Sequence, residues 1–93
     1  MLKVNEYFEG NVKSIAFSTI EGPATVGVMA KGEYEFGTST KEIMIVTTGR
    51  VKVKLPDASD WKEYKPFETF EVEAKKKFQV RIDEESSYVC FYR

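Results

Sequence analysis

The chain has 93 residues, which is enough for one domain and too few for a second hydrophobic core. Its 14 lysine and arginine residues and 15 aspartate and glutamate residues give a formal net charge of −1, so nucleic acid is not an expected partner. Residues 1–6 lack the apolar segment of a secretory signal, and no apolar run approaches the ~20 residues that cross a membrane. Cys90 is the single cysteine, which fits a reducing compartment. We therefore expect one cytoplasmic domain, residues 1–93, with no membrane partner.

The aromatic content is high for so short a chain, with seven phenylalanines, five tyrosines and one tryptophan. A chain of this length buries only about 60–65% of its unfolded surface, so an isolated monomer has marginal stability. Aromatic side chains that do not fit the core are typical of subunit contacts. We therefore expect association, most simply as a two-fold homodimer.

Alternation of apolar and polar residues dominates the chain, and glycine or proline separates the alternating runs. Val51–Leu55 and Phe78–Ile82 show it most clearly, whereas Ile43–Val46 is apolar on both faces and is expected to be a central, doubly covered strand. Val4–Phe8 is compatible with one short turn of helix. Strands are expected near residues 11–19, 24–31, 33–37, 42–48, 50–55, 60–64, 67–73, 77–82 and 87–92. Short, evenly spaced strands predict an all-β sandwich or closed barrel.

Gly32–Gly49 has the pattern of a strand, a polar corner and a second strand, with Glu42 seven residues before Gly49. This stretch resembles the first signature of a cupin-type, jelly-roll β-barrel, in which two histidines and a glutamate normally hold a metal. The chain has no histidine, and Thr38 and Thr40 or their neighbours occupy the metal-binding positions. We therefore expect no imidazole-held metal and no cofactor.

Alternate side chains of a barrel strand face the interior. If Phe36 points inward, strict alternation also points Thr38, Thr40 and Glu42 inward, unless a bulge interrupts the corner. These groups then form a polar pocket in which Glu42 binds substrate hydroxyls. The alternative is that Thr38–Thr40 is a solvated turn and that Glu42 lies at the rim.

Tyr88, Cys90 and Tyr92 share one face of the last strand. The tyrosines either stack on a substrate ring or pack in the core or a dimer contact. Cys90 has no histidine to activate it and is a poor nucleophile. Lys13 and Arg81 are isolated cations that either approach a phosphate or serve solubility.

Seven short segments in chain order resemble one family. These are Asn5–Phe8, Val12–Ile15, Ala24–Met29, Gly32–Tyr34, Leu55–Pro56, Asp60–Trp61 and Ser87–Cys90. Together they span nearly the whole chain and resemble the small cupin-fold pyrimidine/purine nucleoside phosphorylases. The resemblance implies a homodimeric cupin barrel. It also implies phosphorolysis of purine and pyrimidine nucleosides to a free base and α-D-ribose 1-phosphate.

Inorganic phosphate is the nucleophile in that reaction, so neither a metal nor a covalent enzyme intermediate is required. The transition state is expected to resemble an oxocarbenium ion, and Glu42 is the candidate to hold ribose hydroxyls and stabilise the developing positive charge. The remaining candidates are Thr38, Ser39, Thr40 and Arg81 for phosphate, and Phe36, Phe78 and Tyr88 for stacking on the base. The group that protonates the leaving base stays open.

The chain departs from the expected patterns at several positions. The second cupin signature has glycine, proline and glycine near Phe67, Glu73 and Lys75, and relatives can carry arginine in place of Pro23 and Phe91. The alternative function is a non-catalytic cupin-like module that binds a sugar or nucleoside. A sugar epimerase or isomerase on the same barrel would lack its histidine base.

Overall fold

The computed structural model describes residues 2–93, so Met1 of the N-terminal segment lies outside the described residues. These residues contain no helix of the length and apolar character needed to cross a membrane. They form ten strands: β1 Lys3–Tyr7, β2 Val12–Thr19, β3 Gly22–Met29, β4 Gly32–Gly37, β5 Glu42–Thr48, β6 Val51–Lys54, β7 Lys62–Tyr64, β8 Thr69–Val72, β9 Lys77–Ile82 and β10 Ser86–Tyr92. The expectation of an all-β fold is confirmed.

The strands form two antiparallel sheets that face each other across one core. The six-stranded sheet has the order β1-β2-β3-β10-β5-β8, and the four-stranded sheet has the order β4-β9-β6-β7. Strands β4 and β5 are consecutive in the chain but lie in different sheets. The corner between them, residues 38–41, therefore carries the chain from one sheet to the other.

The core is built by alternate residues of the strands, as the sequence pattern predicts. In β9, Phe78, Val80 and Ile82 are buried, while Gln79 and Arg81 point outward. The buried core contains Val12, Met29, Tyr34, Met44, Val46, Val51, Val53, Tyr64, Phe70, Val72, Phe78, Val80, Ile82, Tyr88 and Cys90. These residues come from both sheets, so the core holds the two sheets together.

The N-terminal segment corrects one expectation. Val4–Phe8 is not a turn of helix, because β1 pairs antiparallel with β2 from Lys3 opposite Ala16 to Tyr7 opposite Val12. Three residues with positive φ, Phe8 at 53°, Glu9 at 59° and Gly10 at 86°, reverse the chain between the two strands. Pairing along the whole of β1 satisfies its backbone groups better than an isolated helical turn would.

Two departures from the second cupin signature keep the backbone conformation typical of glycine. Phe67 has φ of 70° and Lys75 has φ of 60°, in the left-handed region that side chains with a Cβ rarely adopt. Phe67 is 79% exposed, so its side chain gains little from packing. The turns are therefore retained although the glycines are absent.

The outer surface of the six-stranded sheet, here named the apolar face, carries an apolar row across five strands. Val4, Ile15, Val26, Val89 and Ile45 lie opposite one another in register from β1 to β5. The first three are 60%, 41% and 43% exposed. In β5, Met44 and Val46 are buried, whereas Ile43 and Ile45 on the outer side are only partly buried, so the expected double covering of this strand is incomplete in the single chain.

The outer surface of the four-stranded sheet, here named the charged face, carries a row of charges instead. Glu33, Arg81, Lys52 and Glu63 lie opposite one another in register, with two cations in the middle and a glutamate at each end. Arg81 Nε lies 3.6 Å from Glu33 Oε2. This arrangement is typical of a solvated sheet surface.

Candidate active site

A cavity of about 350 Å³ lies between the inner faces of the two sheets. Its lining residues are Tyr7, Phe8, Ser14, Met29, Glu35, Phe36, Gly37, Glu42, Met44, Phe78, Tyr88, Cys90 and Tyr92. The six-stranded sheet contributes most of the polar groups, and β4 and β9 of the four-stranded sheet contribute two stacked phenylalanines. Two glutamates line the cavity, but no lysine or arginine does.

Glu42 is the half-buried carboxyl group of this cavity. It begins β5 and lies directly opposite Tyr92 of β10. The Cys90 thiol donates a hydrogen bond to Glu42 Oε1, with a sulfur-to-oxygen distance of 3.6 Å. Burial raises the pKa of Glu42 because it removes water from the charged form, and the hydrogen bond from Cys90 offsets only part of this effect.

The last strand places three further titratable groups beside Glu42. Burial, followed by nearby charge, raises the pKa of Tyr88 to about 12 and that of Cys90 to about 12. Burial also raises the pKa of Tyr92, whose hydroxyl is 3.0 Å from Thr25 Oγ1. The Cys90 thiol therefore stays neutral, which removes it as a nucleophile.

Tyr88 can turn its ring into the cavity because the facing strand has no side chain at Gly27. The two residues are directly opposite each other in β10 and β3. A Cβ at Gly27 would overlap the hydroxyl end of the Tyr88 ring. The absence of a side chain at Gly27 thus leaves the space that the hydroxyl end of the Tyr88 ring occupies.

Aromatic rings form the opposite wall of the cavity. Phe36 and Phe78 are stacked, with ring centroids 5.6 Å apart and an interplanar angle of 30°. Phe8 meets Phe36 edge to face at 5.5 Å and Tyr34 at 4.9 Å. Its left-handed backbone is costly for a phenylalanine, and these ring contacts offset part of that cost.

Four of the residues expected from the sequence meet at this cavity, namely Phe36, Glu42, Phe78 and Tyr88. Thr38 is buried but does not line it. Its hydroxyl donates to the Glu73 carbonyl at 2.6 Å and accepts from the Lys76 N–H at 3.0 Å. Thr38 therefore ties the corner between β4 and β5 to the connection between β8 and β9.

Three further residues expected from the sequence, Ser39, Thr40 and Arg81, do not line this cavity. Ser39 and Thr40 are exposed in the corner and do not line the cavity, because β4 ends at Gly37 and strict alternation ends with it. Arg81 lies on the charged face, where its guanidinium is 4.6 Å from the ring centroid of Trp61. Strand β9 points Val80 and Ile82 inward and therefore Arg81 outward.

Nine cavity residues were not among the expected site residues: Tyr7, Phe8, Ser14, Met29, Glu35, Gly37, Met44, Cys90 and Tyr92. The sequence signal for the first three was the Phe8–Asn11 turn, which includes Gly10 and joins β1 to β2. A short helical turn at Val4–Phe8, which the sequence also allows, is incompatible with this hairpin. Tyr92 was recognised as sharing a face with Tyr88, but the two-residue alternation does not reveal which face of the strand is the cavity wall.

The cavity residues do not fit the metal centre of the cupin pattern. The chain has no histidine, and residues 2–93 contain no group of three or more histidine, cysteine, aspartate or glutamate side chains placed to hold a metal ion. Phe78 stands about where metal-binding cupins place their last histidine. The Cys90 thiol holds its proton too tightly to be a ready ligand.

A second, more open groove adjoins the cavity at Tyr92. It is lined by Lys3, Ser18, Thr25 and Tyr92 together with apolar residues of β1 to β3. Lys3 lies on the inner side of β1, opposite Ala16. Lys3 and the hydroxyl groups of Ser18 and Thr25 therefore lie in the same groove as Tyr92, which also lines the cavity.

Two facing antiparallel sheets around a central cavity define a small cupin-like protein. The structure agrees, with a TM-score of 0.71, with that of a cupin superfamily protein from Desulfitobacterium hafniense that is 15% identical, covering 92% of this chain and 80% of that chain. At this identity the agreement shows the fold alone, and it confirms the expected cupin-like fold. A protein of unknown function from Vibrio parahaemolyticus matches with a TM-score of 0.94 and 39% identity, covering 97% of this chain and 96% of that chain.

Sequence comparison identifies the family. The family described as pyrimidine/purine nucleoside phosphorylase matches residues 2–92. A Pseudomonas fluorescens (strain Pf0-1) protein named pyrimidine/purine nucleoside phosphorylase is 59% identical, covering 100% of this chain and 99% of that protein. A Pseudomonas savastanoi pv. phaseolicola relative of the same name is 55% identical over the full length of both chains. The chain belongs to the pyrimidine/purine nucleoside phosphorylase family, which confirms the resemblance read from the sequence.

Proposed function

We propose that this protein is a metal-independent nucleoside phosphorylase. It cleaves purine and pyrimidine nucleosides with inorganic phosphate to the free base and α-D-ribose 1-phosphate. The observation that carries the proposal is the half-buried Glu42 carboxyl in a cavity that otherwise presents aromatic rings and hydroxyl groups. The cavity volume of about 350 Å³ is in the range of small-molecule sites.

The stacked pair of Phe36 and Phe78 is proposed to hold the base. Flat aromatic rings stack on purines and pyrimidines alike, because both present a π-face. The lining contains no asparagine, glutamine or arginine, the side chains that commonly read base edges by paired hydrogen bonds. This composition supports a broad range of accepted bases.

Glu42 and the hydroxyl groups opposite it are proposed to hold the ribose. Glu42 lies between Tyr92 on one neighbouring strand and Val72 on the other, and it lines the cavity. Tyr88 is the second polar ring of the same wall. A carboxylate at this position stabilises positive charge that develops on the sugar.

Phosphate is proposed to bind at the Tyr92 end of the cavity, since no lysine or arginine of residues 2–93 lines the cavity itself. The adjoining groove supplies Lys3 and the paired hydroxyls of Thr25 and Tyr92. Charge-assisted contacts of this kind suit a phosphate dianion. We expect Lys3→Gln to raise the KM for phosphate about tenfold with little change in the KM for uridine. Lys54→Gln, on the charged face opposite Gln79, is the matched control, and equal effects of the two changes would remove Lys3 from the phosphate site.

Base release from uridine, adenosine and guanosine tests the proposed reaction. The wild-type protein is expected to release base only when phosphate is present, and Glu42→Ala is expected to abolish the release. Absence of release from all three nucleosides at high protein concentration would reject the enzyme. If equilibrium dialysis then showed nucleoside binding, the protein would be a non-catalytic binding module with the same cavity.

We further propose that two copies associate through the apolar face. The six strands are spaced about 4.8 Å apart and are roughly seven residues long, so the face measures about 29 Å by 23 Å. Its area is of the same order as the ~800 Å² that each partner buries in a standard interface. The row from Val4 to Ile45 supplies an apolar centre, and the ion pair of Glu6 with Lys13 lies beside it. Because that pair carries both signs, a second copy can match it about a two-fold axis.

A further inference from the structure

Phosphorolysis needs a proton as well as a phosphate. When the bond between ribose C1′ and the base nitrogen breaks, its electron pair leaves with the base. An ordinary purine or pyrimidine anion is a poor leaving group, so a proton donor beside the base lowers the barrier. The titratable groups facing the cavity are Tyr7, Glu35, Glu42, Tyr88, Cys90 and Tyr92.

Most of these groups are poorly suited to donate. Burial holds the protons of Tyr88, Cys90 and Tyr92 tightly, with the pKa of the first two at about 12. Tyr7 is 47% exposed at the edge of the cavity. Glu35 is exposed and accepts a hydrogen bond from Gln79 Nε2 at 2.7 Å. Glu42 is the remaining acid, and it is half-buried inside the cavity.

The surroundings of Glu42 favour its neutral form. Burial outweighs the hydrogen bond that its oxygen Oε1 accepts from the Cys90 thiol, a weak donor, and among residues 2–93 no lysine or arginine lines the cavity. The neighbouring residue Lys41 does not compensate, because its Nζ lies 3.0 Å from Glu71 Oε1. A carboxyl group with little water and no cation retains its proton to higher pH.

We infer that Glu42 is the general acid that protonates the departing base, an inference that rests on the proposed phosphorylase function. The C1′–N bond breaks and its electron pair moves to the base. The base takes the proton from the Glu42 carboxyl, and a phosphate oxygen forms the new bond to C1′. Glu42 is left as a carboxylate beside a ribose that carries positive charge. One residue thus supplies the proton and then the counter-charge within the same step.

A base that needs no proton tests this role. The base of N7-methylguanosine is cationic and departs as a neutral molecule, whereas the base of guanosine requires protonation. We expect Glu42→Gln to lower kcat/KM for guanosine by about 10²-fold or more, the usual contribution of a general acid. The same variant is expected to lower kcat/KM for N7-methylguanosine less than about tenfold, since only the counter-charge is lost. Glu63→Gln, on the charged face, is the matched control and is expected to change neither value.

Equal losses for the two nucleosides would overturn the acid role and leave Glu42 as a charge or a positioning group. No loss for either nucleoside would also overturn it. Wild-type protein without activity on either nucleoside would reject the phosphorylase function itself, and that result is distinct from the first two. A thermal melt of each variant establishes that it is folded.

The pH profile gives a second readout of the same role. Since the acid must be protonated in the free enzyme, wild-type kcat/KM for guanosine is expected to fall as pH rises through the raised pKa of Glu42. Glu42→Gln is expected to show no decline in that range. A wild-type profile that instead rises there would show that the carboxylate form is the active one.

Discussion

The two sheets enclose the same core, yet their outer faces have opposite chemistry. The charged face aligns Glu33, Arg81, Lys52 and Glu63, whereas the apolar face aligns valine and isoleucine at every step. The inner residues of both sheets are mostly apolar because they form the shared core, so their pattern does not indicate what the outside of each sheet contacts. The outer residues are not needed by the core, so their chemistry is free to differ: charged residues suit contact with water, and the exposed apolar residues support the proposed dimer contact.

The inner faces differ as well. The six-stranded sheet supplies most of the titratable groups of the cavity, Tyr7, Glu42, Tyr88, Cys90 and Tyr92, while the four-stranded sheet supplies the stacked rings. Strands β5 and β10 thus carry cavity residues on one side and apolar-face residues on the other. A second copy seated on the apolar face would steady the strands that position Glu42.

The largest effect is expected from a charge placed at the centre of the apolar face. Val26→Lys should weaken the dimer by at least about 10²-fold, because an unpaired ammonium group buried in an interface costs several kcal/mol. Sedimentation equilibrium measures the change as a shift to a species near 10.7 kDa. Gln79→Lys on the charged face is the control and should not change the mass. A wild-type protein that is already a monomer at micromolar concentration would contradict the dimer.

The next effect concerns the corner that joins the two sheets. Thr38→Val keeps the shape of the side chain but removes the hydroxyl that bonds the Glu73 carbonyl and the Lys76 N–H. We expect a loss of about 1–3 kcal/mol in the free energy of unfolding, measured with urea. Thr40→Val, exposed in the same corner, should change it by less than about 0.5 kcal/mol. Equal changes would show that the Thr38 hydroxyl does not hold the corner.

A smaller effect with the opposite sign is expected at the wall of the cavity. Since the folded state raises the pKa of Glu42, it binds this proton more tightly than the unfolded chain does. The stability that depends on Glu42 is therefore complete below the unfolded pKa, about 4.5, and is lost as pH rises through the folded value. Glu42→Gln should raise the melting temperature by a few degrees at pH 8 and not at pH 4. A lower melting temperature at pH 8 would contradict the absence of a compensating cation.

The smallest effect is expected on the charged face. Arg81→Gln removes the ion pair with Glu33 and the contact with the ring of Trp61, both of which are partly exposed. Such contacts contribute about 1 kcal/mol or less. Kinetic constants for nucleoside and phosphate should stay at their wild-type values, because the side chain points away from the cavity. A rise in the KM for phosphate would instead place Arg81 in the site.

The fold was largely predictable because the alternation of apolar residues and the turn residues act locally. The alternation of Phe78, Val80 and Ile82 predicts which side of β9 is buried. The cupin-like pattern of Gly32–Gly49 predicts that Glu42 begins a strand after a corner. The corner could not be predicted in the same way. The chain leaves one sheet at Gly37, and the direction of Thr38, Ser39 and Thr40 depends on contacts with the distant connection between β8 and β9.

The contribution of Tyr7, Phe8 and Ser14 to the cavity also depends on contacts that the local sequence does not reveal. Tyr7, Phe8 and Ser14 reach the cavity only because β1 folds back on β2 through left-handed residues, of which only Gly10 is a glycine. The sequence gives no local sign that Phe8 adopts this conformation. Arg81 differs in this respect, because the alternation of Phe78, Val80 and Ile82 in β9 is local and already points Arg81 outward.

Product analysis tests the central claim most directly. Wild-type protein, treated with a chelator and incubated with uridine, should yield uracil and α-D-ribose 1-phosphate in equal amounts, and only when phosphate is present. The chelator should not change the rate, because the cavity residues do not form a metal centre. Release of free ribose, a rate that does not depend on phosphate, or activity that disappears with the chelator would contradict a metal-independent phosphorylase.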